Sequence, residues 1–433
     1  MSQSVRSEPT NVPLLRDRNF VTFWTGQALS QVGEQVSGLA LPVTAVLLLH
    51  ASDGEVGVLN AAGVAAFLII GLPAGAWIDR MRKRSVMIRA DLVRAFALAA
   101  IPVLWWLGVL QIWQLYLVAL VLGVATVFFD ISYQSIIPSL VPTARIPEAN
   151  GKLESTSQLA HLFGPAVAGW LVGVVTAPIA VLVTVGTYLS SFAALRLTRD
   201  HEASHQDDRS SRMPVRHEVA EGLRWVFGHP LLRRIVATTG ISNLASTMTY
   251  TLLPIFFLRV LGFTPQTMGL VFSLAAVGGL AGAVTSGRVM AWLGARAIPV
   301  SSIMFSVAAL LLPAATLVPR EFAFPVLVVE GMLTSWSVLL YNITQVSFRQ
   351  RITPPRLLGR MNASIRFCVW GVMPLAALAA GALGEVVGTV PTIWIGSVLG
   401  LASIVPVVWG PFWRMRDLPD PDAVDVPDAA NTP

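Results

Sequence analysis

The sequence predicts an all-α polytopic membrane protein with twelve transmembrane helices in two parallel, pseudo-symmetric six-helix halves. Three observations lead there. Charged residues are 12% of the 433-residue chain and hydrophobic ones 54%, with a mean hydropathy of +0.67; an ordinary soluble domain carries about 25% charge. Uncharged runs are long, spanning 56–78, 95–129, 155–195, 235–258, 260–287, 297–319 and 386–413. The chain also repeats its Gly and Pro landmarks at a single offset of 212 residues, as Gly57 and Gly269 show.

A spanning helix needs roughly 20 apolar residues, each rising about 1.5 Å through a core about 30 Å thick. The shorter runs fit one helix. Runs 95–129 and 155–195 fit helical hairpins, each with a turn near its middle ("LGVLQIWQ", "VVTAPIA"). The expected spans lie near 19–49, 55–78, 85–107, 113–138, 151–174, 178–196, 231–259, 266–288, 297–318, 323–349, 362–384 and 390–412. Between them, 28 of the 30 Lys and Arg residues fall in alternate loops, leaving only Arg259 and Arg320 on the other side. Basic residues accumulate in cytoplasmic loops, so both termini are expected inside. The net charge of +6 and the pI near 10.1 are therefore a topology signal, and no nucleic-acid partner is expected. The start of the chain, with Glu8 and Asp17, lacks the basic-then-apolar pattern of a secretory signal. Cys368 is the sole cysteine, so no intrachain disulfide can form.

The repeat aligns Ser30 with Ser242, Pro42 with Pro254, Gly75 with Gly287, Arg84 with Arg296, Pro142 with Pro354, Asn150 with Asn362 and Gly169 with Gly381. Gly and Pro persist where backbone geometry restricts substitution. A gapless offset implies two halves of the same orientation, 1–196 and 231–413. The connecting segment 197–230 is the most polar interior stretch; from Pro214, the apolar Val215, Val219, Leu223 and Val226 recur at helical spacing. That pattern predicts an amphipathic helix on the inner surface. The tail 414–433, with five Asp and four Pro after Arg416, is expected to be disordered.

Between the second and third spans stands "GAWIDRMRKR". The chain here resembles the major facilitator superfamily, whose plan is two parallel six-helix repeats and whose loop motif is matched by Gly75, Asp79, Arg80, Lys83 and Arg84. The family's second glycine is replaced by Arg82. The resemblance implies a latch that joins the halves in the outward-facing state, with Asp79 set against the start of the span near Arg360 to Arg366. "GPAVAG", with Gly164, Pro165 and Gly169, resembles the helix-5 motif of the family's exporters. Asp91 and Arg94, three apart and able to pair along a helix, resemble the enterobactin-exporter and macrolide-efflux branch, as does "FFDISYQSIIPSLVP".

An ionisable group near the bilayer centre costs on the order of 3 kcal/mol and is a functional candidate. Glu34 lies 14 residues beyond Phe20, roughly 21 Å along the helix, on a stripe with Gln27, Ser30 and Ser37 expected to face a wet cavity. Asp130 precedes Tyr133 and Gln134, Glu330 precedes Trp336, Tyr341 and Asn342, and His161 lies in the fifth span. Asn243 completes the expected cavity lining. In the repeat, Glu34 corresponds to Ser246 and Asp130 to Asn342, so the carboxylates look like a function added to one half. Glu34, Asp130, Glu330 and His161 are the candidate proton or substrate sites.

No phosphate loop is present: "NGKLES" lacks the spaced first glycine and the following Ser or Thr. With no cofactor and no metal site expected, a proton gradient is the expected energy source. The expected activity is proton-coupled antiport that exports hydrophobic or cationic small molecules such as drugs, antibiotics or siderophores. The resemblance places it in the bacterial cytoplasmic membrane, working as a monomer in the lipid bilayer. The alternative is a symporter importing a small metabolite, which predicts a more polar cavity with Arg or Lys deep in the membrane. A membrane enzyme would need a clustered His, Asp or Cys set. His201, His205, His217 and His229 sit in the central segment without metal-ligand spacing.

Overall fold

A computed structural model describes residues 14–78, 81–200, 215–354 and 357–415. Among these the chain is helical throughout, with no strand. The first half comprises α1 (Arg18–Val43), α2 (Asp53–Ile78), α3 (Lys83–Trp106), α4 (Ile112–Leu140), α5 (Ile146–Val175) and α6 (Ala177–Leu197). After α7 (Val215–Gly228), the second half comprises α8 (Pro230–Thr251), α9 (Pro265–Leu293), α10 (Ala297–Ala308), α11 (Arg320–Ile352), α12 in two pieces (Leu358–Trp370 and Met373–Val387) and α13 (Thr389–Leu401). The ends joining α2 to α3 and α9 to α10 lie on the face that also carries residues 14 and 413, called here the terminal face. The opposite, far face carries the turns at 43–53, 175–177, 260–265 and 387–389.

Nine helical stretches among the described residues are long and apolar enough to cross a membrane, one of them running through both α9 and α10. The spans that miss this measure are α1 and α3. Both carry several polar or charged residues, the cluster described below among them.

The 212-residue offset reappears in backbone detail. A π-turn at Thr44–Leu48 ends the first span, and one at Phe256–Val260 ends its repeat mate. Thr176 and Gly388 both turn the chain at positive φ, 91° and 92°. The two halves meet along two seams related by the same offset, α2 against α12 and α5 against α9. A Cβ on Gly57 would stand 2.7 Å from Gly381 Cα, and one on Gly169 would stand 3.1 Å from Gly269 Cα. Glycine is required there because the helix backbones touch. These contacts lie toward the far face, where Arg259 also reaches across to donate to the carbonyls of Ala51 and Val46, both at 2.6 Å. Glu385 accepts from Gly54 N–H at 2.8 Å, and Thr389 Oγ1 donates to Asp53 at 2.7 Å. The far face is thus clasped shut.

The helix α7 packs against the second half. Its Val226 is buried with Ile235, Phe348, Met361, Ile365 and Phe412, and Glu221 pairs with Arg360 of α12. The tail from 416, and most of the polar stretch before α7, lie outside the described residues.

A leucine at Gly57 or at its repeat mate Gly269 would strike the facing helix backbone, Ala377 O in one case and Pro165 O in the other. Either substitution is expected to open the far face. A single cysteine at position 38, in a Cys368→Ser background, should then react faster with impermeant maleimide added from the far side. Unchanged labelling in both variants would show that the seams do not hold that face closed.

Candidate functional site

The N-terminal half encloses a charge cluster at mid-bundle. Arg94 stands 11 residues after the first residue of α3, about 17 Å from its end, and is 0% exposed. The sequence tallies it with the basic residues around the second loop and pairs it with Asp91 in the third span; the structure buries it within the helix bundle. Its Nη2 donates to Asp91 Oδ1 at 2.5 Å and its Nη1 to Glu34 Oε1 at 3.1 Å. The guanidinium is stacked between two rings, 4.0 Å from the centroid of Phe129 and 4.3 Å from that of Tyr188. Arg is suited to this place because its weakly hydrated plane stacks on aromatics while its edge forks to carboxylates. Helices α1, α3, α4 and α6 each supply one side of the cage.

The two carboxylates differ. Asp91 is fully buried, whereas the Glu34 side chain is 41% exposed. Glu34 shares a helix face with Gly38 and Pro42 at intervals of four, and those two line a cavity of about 300 Å³ between the halves, opposite Tyr250, Pro254 and Met268. Asp130, partly buried on α4, lies within electrostatic reach of both Arg94 and Glu34. It has no hydrogen bond or ion pair among the described residues. The Asp91–Arg94 pair expected from spacing is present, but its extension to Glu34 was not foreseen, because that link joins helices 60 positions apart in sequence.

The stripe with Gln27, Ser30 and Ser37 turns away from the cleft. All three are buried, at 3%, 2% and 7% exposure. Gln27 Nε2 donates to Ser191 Oγ at 3.5 Å, and Ser191 faces Asp91. Gln27 thus backs the charge cluster from behind. Tyr133 stacks with Phe23 and Phe129, while Gln134 is exposed. His161 Nδ1 lies 3.0 Å from Gln35 Nε2, a local tie between α5 and α1. Gly164 of the same helix abuts the stem of Gln35, whereas Pro165 and Gly169 face α9 in the seam.

In the second half, Asn243, Tyr341 and Asn342 line a hydroxyl-rich cavity of about 240 Å³ together with Thr238, Ser242 and Ser246. Tyr341 Oη and Thr239 Oγ1 are 2.8 Å apart, and Asn243 donates to Val369 O at 3.1 Å. Trp336 is turned into the α9–α11 contact, donating to Thr285 Oγ1 at 3.0 Å. Glu330, 6% exposed, lines a smaller void of about 20 Å³ with Tyr250, Ser246, Ser306 and Gly400. By the repeat, Ser246, Ser306 and Gly400 occupy the places of Glu34, Arg94 and Tyr188. The void is the image of the guanidinium cage with its contents removed.

Of the loop-motif residues, Asp79 and Arg80 lie outside the described residues, and Gly75 lies in the last turns of α2. Lys83 begins α3. Arg84 donates to Leu195 O and Arg196 O, both at 2.7 Å, and pairs with Asp200. It caps the C-terminal end of α6, where a cation complements the helix dipole.

The model of the Major Facilitator Superfamily matches residues 23–375. The chain belongs to that superfamily. Its members are transporters, and this protein is a multi-pass membrane transporter of their kind. It is 25% identical over 384 residues to the multidrug efflux pump Tap of Mycolicibacterium fortuitum, covering 86% of this chain and 91% of that one. It is 27% identical over 158 residues to macrolide efflux protein A of Streptococcus pyogenes, covering 36% and 38%. A bacterial homologue of the iron transporter ferroportin in its inward-facing state superposes with a TM-score of 0.74 at 16% identity, covering 91% of this chain and 98% of that one. The outward-facing state of such a homologue scores 0.56 at 16% identity, over 92% and 100%.

Removing Arg94 leaves Asp91 buried without a cation, so Arg94→Met is expected to cost about 3–5 kcal/mol. Glu34→Gln keeps the buried pair and touches only a part-exposed partner, so its cost should stay below about 1 kcal/mol. Denaturant unfolding of the purified variants measures both; equal losses would contradict the division of roles.

Proposed function

We propose that the protein is a proton-coupled antiporter that exports hydrophobic or cationic small molecules by alternating access, with both termini cytoplasmic. One observation carries this reading: Glu34 is tied to a fully buried arginine yet keeps 41% of its side chain exposed, one turn before Gly38 on the wall of the cavity between the halves. A carboxylate in that position can carry either a proton or a cationic ligand, and the cleft can hold only one of them against it. Arg94 is fixed by Asp91 and by two ring faces, so it stays behind when Glu34 is neutralised. Its charge then leans on Asp91 and on the unpaired Asp130.

Neutralising Glu34 removes one tie between α1 and α3. The far-face clasps of Arg259, Glu385 and Thr389 are the contacts that must part when the cleft changes sides. The closed far face and the higher score against an inward-facing neighbour fit a state open to the terminal face. The distribution of Lys and Arg makes that face the cytoplasmic one. The relatives named as a multidrug and a macrolide efflux pump favour export of drug-like compounds. An apolar cleft between two α-helical bundles suits such ligands better than sugars.

Inside-out vesicles holding the protein and an acidified lumen should release protons when ethidium is added. Glu34→Gln and Asp130→Asn, inserted at normal levels, should each abolish the response. Full ethidium-evoked proton release in both variants would remove these carboxylates from the mechanism.

A further inference from the structure

Residues 231–415 contain twelve arginines, no lysine and only three acids, Glu321, Glu330 and Glu385. Glu321 opens α11 and Glu385 closes α12, both at the far face, while Glu330 is buried between. The terminal-face part of this half therefore has no carboxylate of its own among the described residues. Arg360 there is met by Glu221 from α7. Arg349, in the last turn of α11, instead lies within electrostatic reach of another cation, Arg366 of α12, and its Nε is buried with no hydrogen-bond partner among the described residues.

Arg366 lies with its guanidinium 5.4 Å from the Trp370 ring centroid. It lines a cavity of about 340 Å³ between the halves with Asn362, Phe367, Trp370 and Phe67. The wall contributed by the first half, Phe67, Gly71, Val127 and Ile131, is apolar. Asp130, the neighbouring carboxylate on α4, is not among the residues that line this cavity and lies within electrostatic reach of Arg94. Phe67 and Trp370 meet edge-on, with centroids 5.1 Å apart, and form an aromatic floor.

Two guanidinium groups within electrostatic reach, with no anion set against them among the described residues, repel one another, and forked donors of this kind match the oxygens of carboxylate and phosphate. We propose that Arg349 and Arg366 form an anion subsite at the terminal end of the cleft. It takes the carboxylate or phosphate of an amphipathic ligand whose apolar body lies on Phe67, Phe367 and Trp370. Asn362, one turn before Arg366, offers a further amide donor. The same chemistry can come from a free ligand or from the headgroup of an anionic lipid entering between α2 and α12. The subsite goes beyond the proton-coupling reading and stands whether or not Glu34 exchanges a proton.

The test uses the full chain in nanodiscs of neutral phosphatidylcholine and calorimetric titration with 2-naphthyl phosphate, 2-naphthoate and the uncharged 2-naphthalenemethanol. The anionic probes should bind about tenfold or more tightly than the neutral one, as expected for charge-assisted hydrogen bonds. Arg349→Gln and Arg366→Gln should each remove that preference and leave the neutral probe unchanged. Displacement of the anionic probes by dioctanoyl phosphatidylglycerol, with the same arginine dependence, assigns the subsite to a lipid headgroup; failure to displace them assigns it to a free ligand. Equal affinity for charged and neutral probes in the unmodified protein overturns the proposal without recourse to any variant. Undiminished anion binding in both glutamine variants overturns it equally.

Discussion

A guanidinium that no water reaches must be met by anions and ring faces, and the first six helices are arranged to meet it. Arg94 is 0% exposed, and an uncompensated charge at such depth would cost several kcal/mol. Asp91 supplies the near anion from the same helix, Glu34 the far one from α1, and Phe129 and Tyr188 close the two faces. Four helices are thereby held in register around one side chain. The same demand puts charged residues into the middle of α1 and α3. Because Glu34 satisfies Arg94 with one oxygen while its side chain stays 41% exposed, the packing requirement and the functional group are joined in one ion pair.

The halves show how a duplicated scaffold divides labour. Both keep the backbone devices: the π-turns, the positive-φ turn before the sixth and twelfth spans, and glycines where the halves touch. The charge cluster is kept in one half only. Its repeat positions hold Ser246, Ser306, Asn342 and Gly400, and they leave polar and small voids in place of ions. The second half carries its charge elsewhere, as an excess of arginine toward the terminal face. An acidic station deep in the first half and a cationic one at the mouth of the second would give the cleft opposite polarity at its two stations.

The architecture was legible because it is written in the simplest signals. Run length marks the spans, and Gly57, Gly169, Gly269 and Gly381, which align at one offset in the sequence, are partners in the structure. Backbone-limited positions reveal themselves in this way because few residues can stand in for glycine. The site was legible in part. Glu34 and Asp130 stood out as charges in apolar runs, and Asp91 and Arg94 as a helical pair. Sequence spacing could not join the two sets, since which face of α1 meets α3 is a matter of packing between distant segments. For the same reason the Gln27 stripe was aimed at the cleft when it backs Asp91 through Ser191. Arg84, taken with the loop motif, caps α6, an assignment that needs the path of residues 195–200. The proposed Asp79 latch lies outside the described residues.

The central claim is that, within this cluster, Glu34 alone trades protons with the cleft while Asp91 stays locked to Arg94. Infrared difference spectroscopy of the reconstituted protein across a pH titration reads this directly, through the carbonyl stretch of a protonated acid. One component of that band should be present in the unmodified chain and in a fold-competent Asp91→Asn variant, and be missing from Glu34→Gln, beside components from Asp130 and Glu330 that all three share. A band that survives Glu34→Gln unchanged and disappears with Asp91 would contradict the claim.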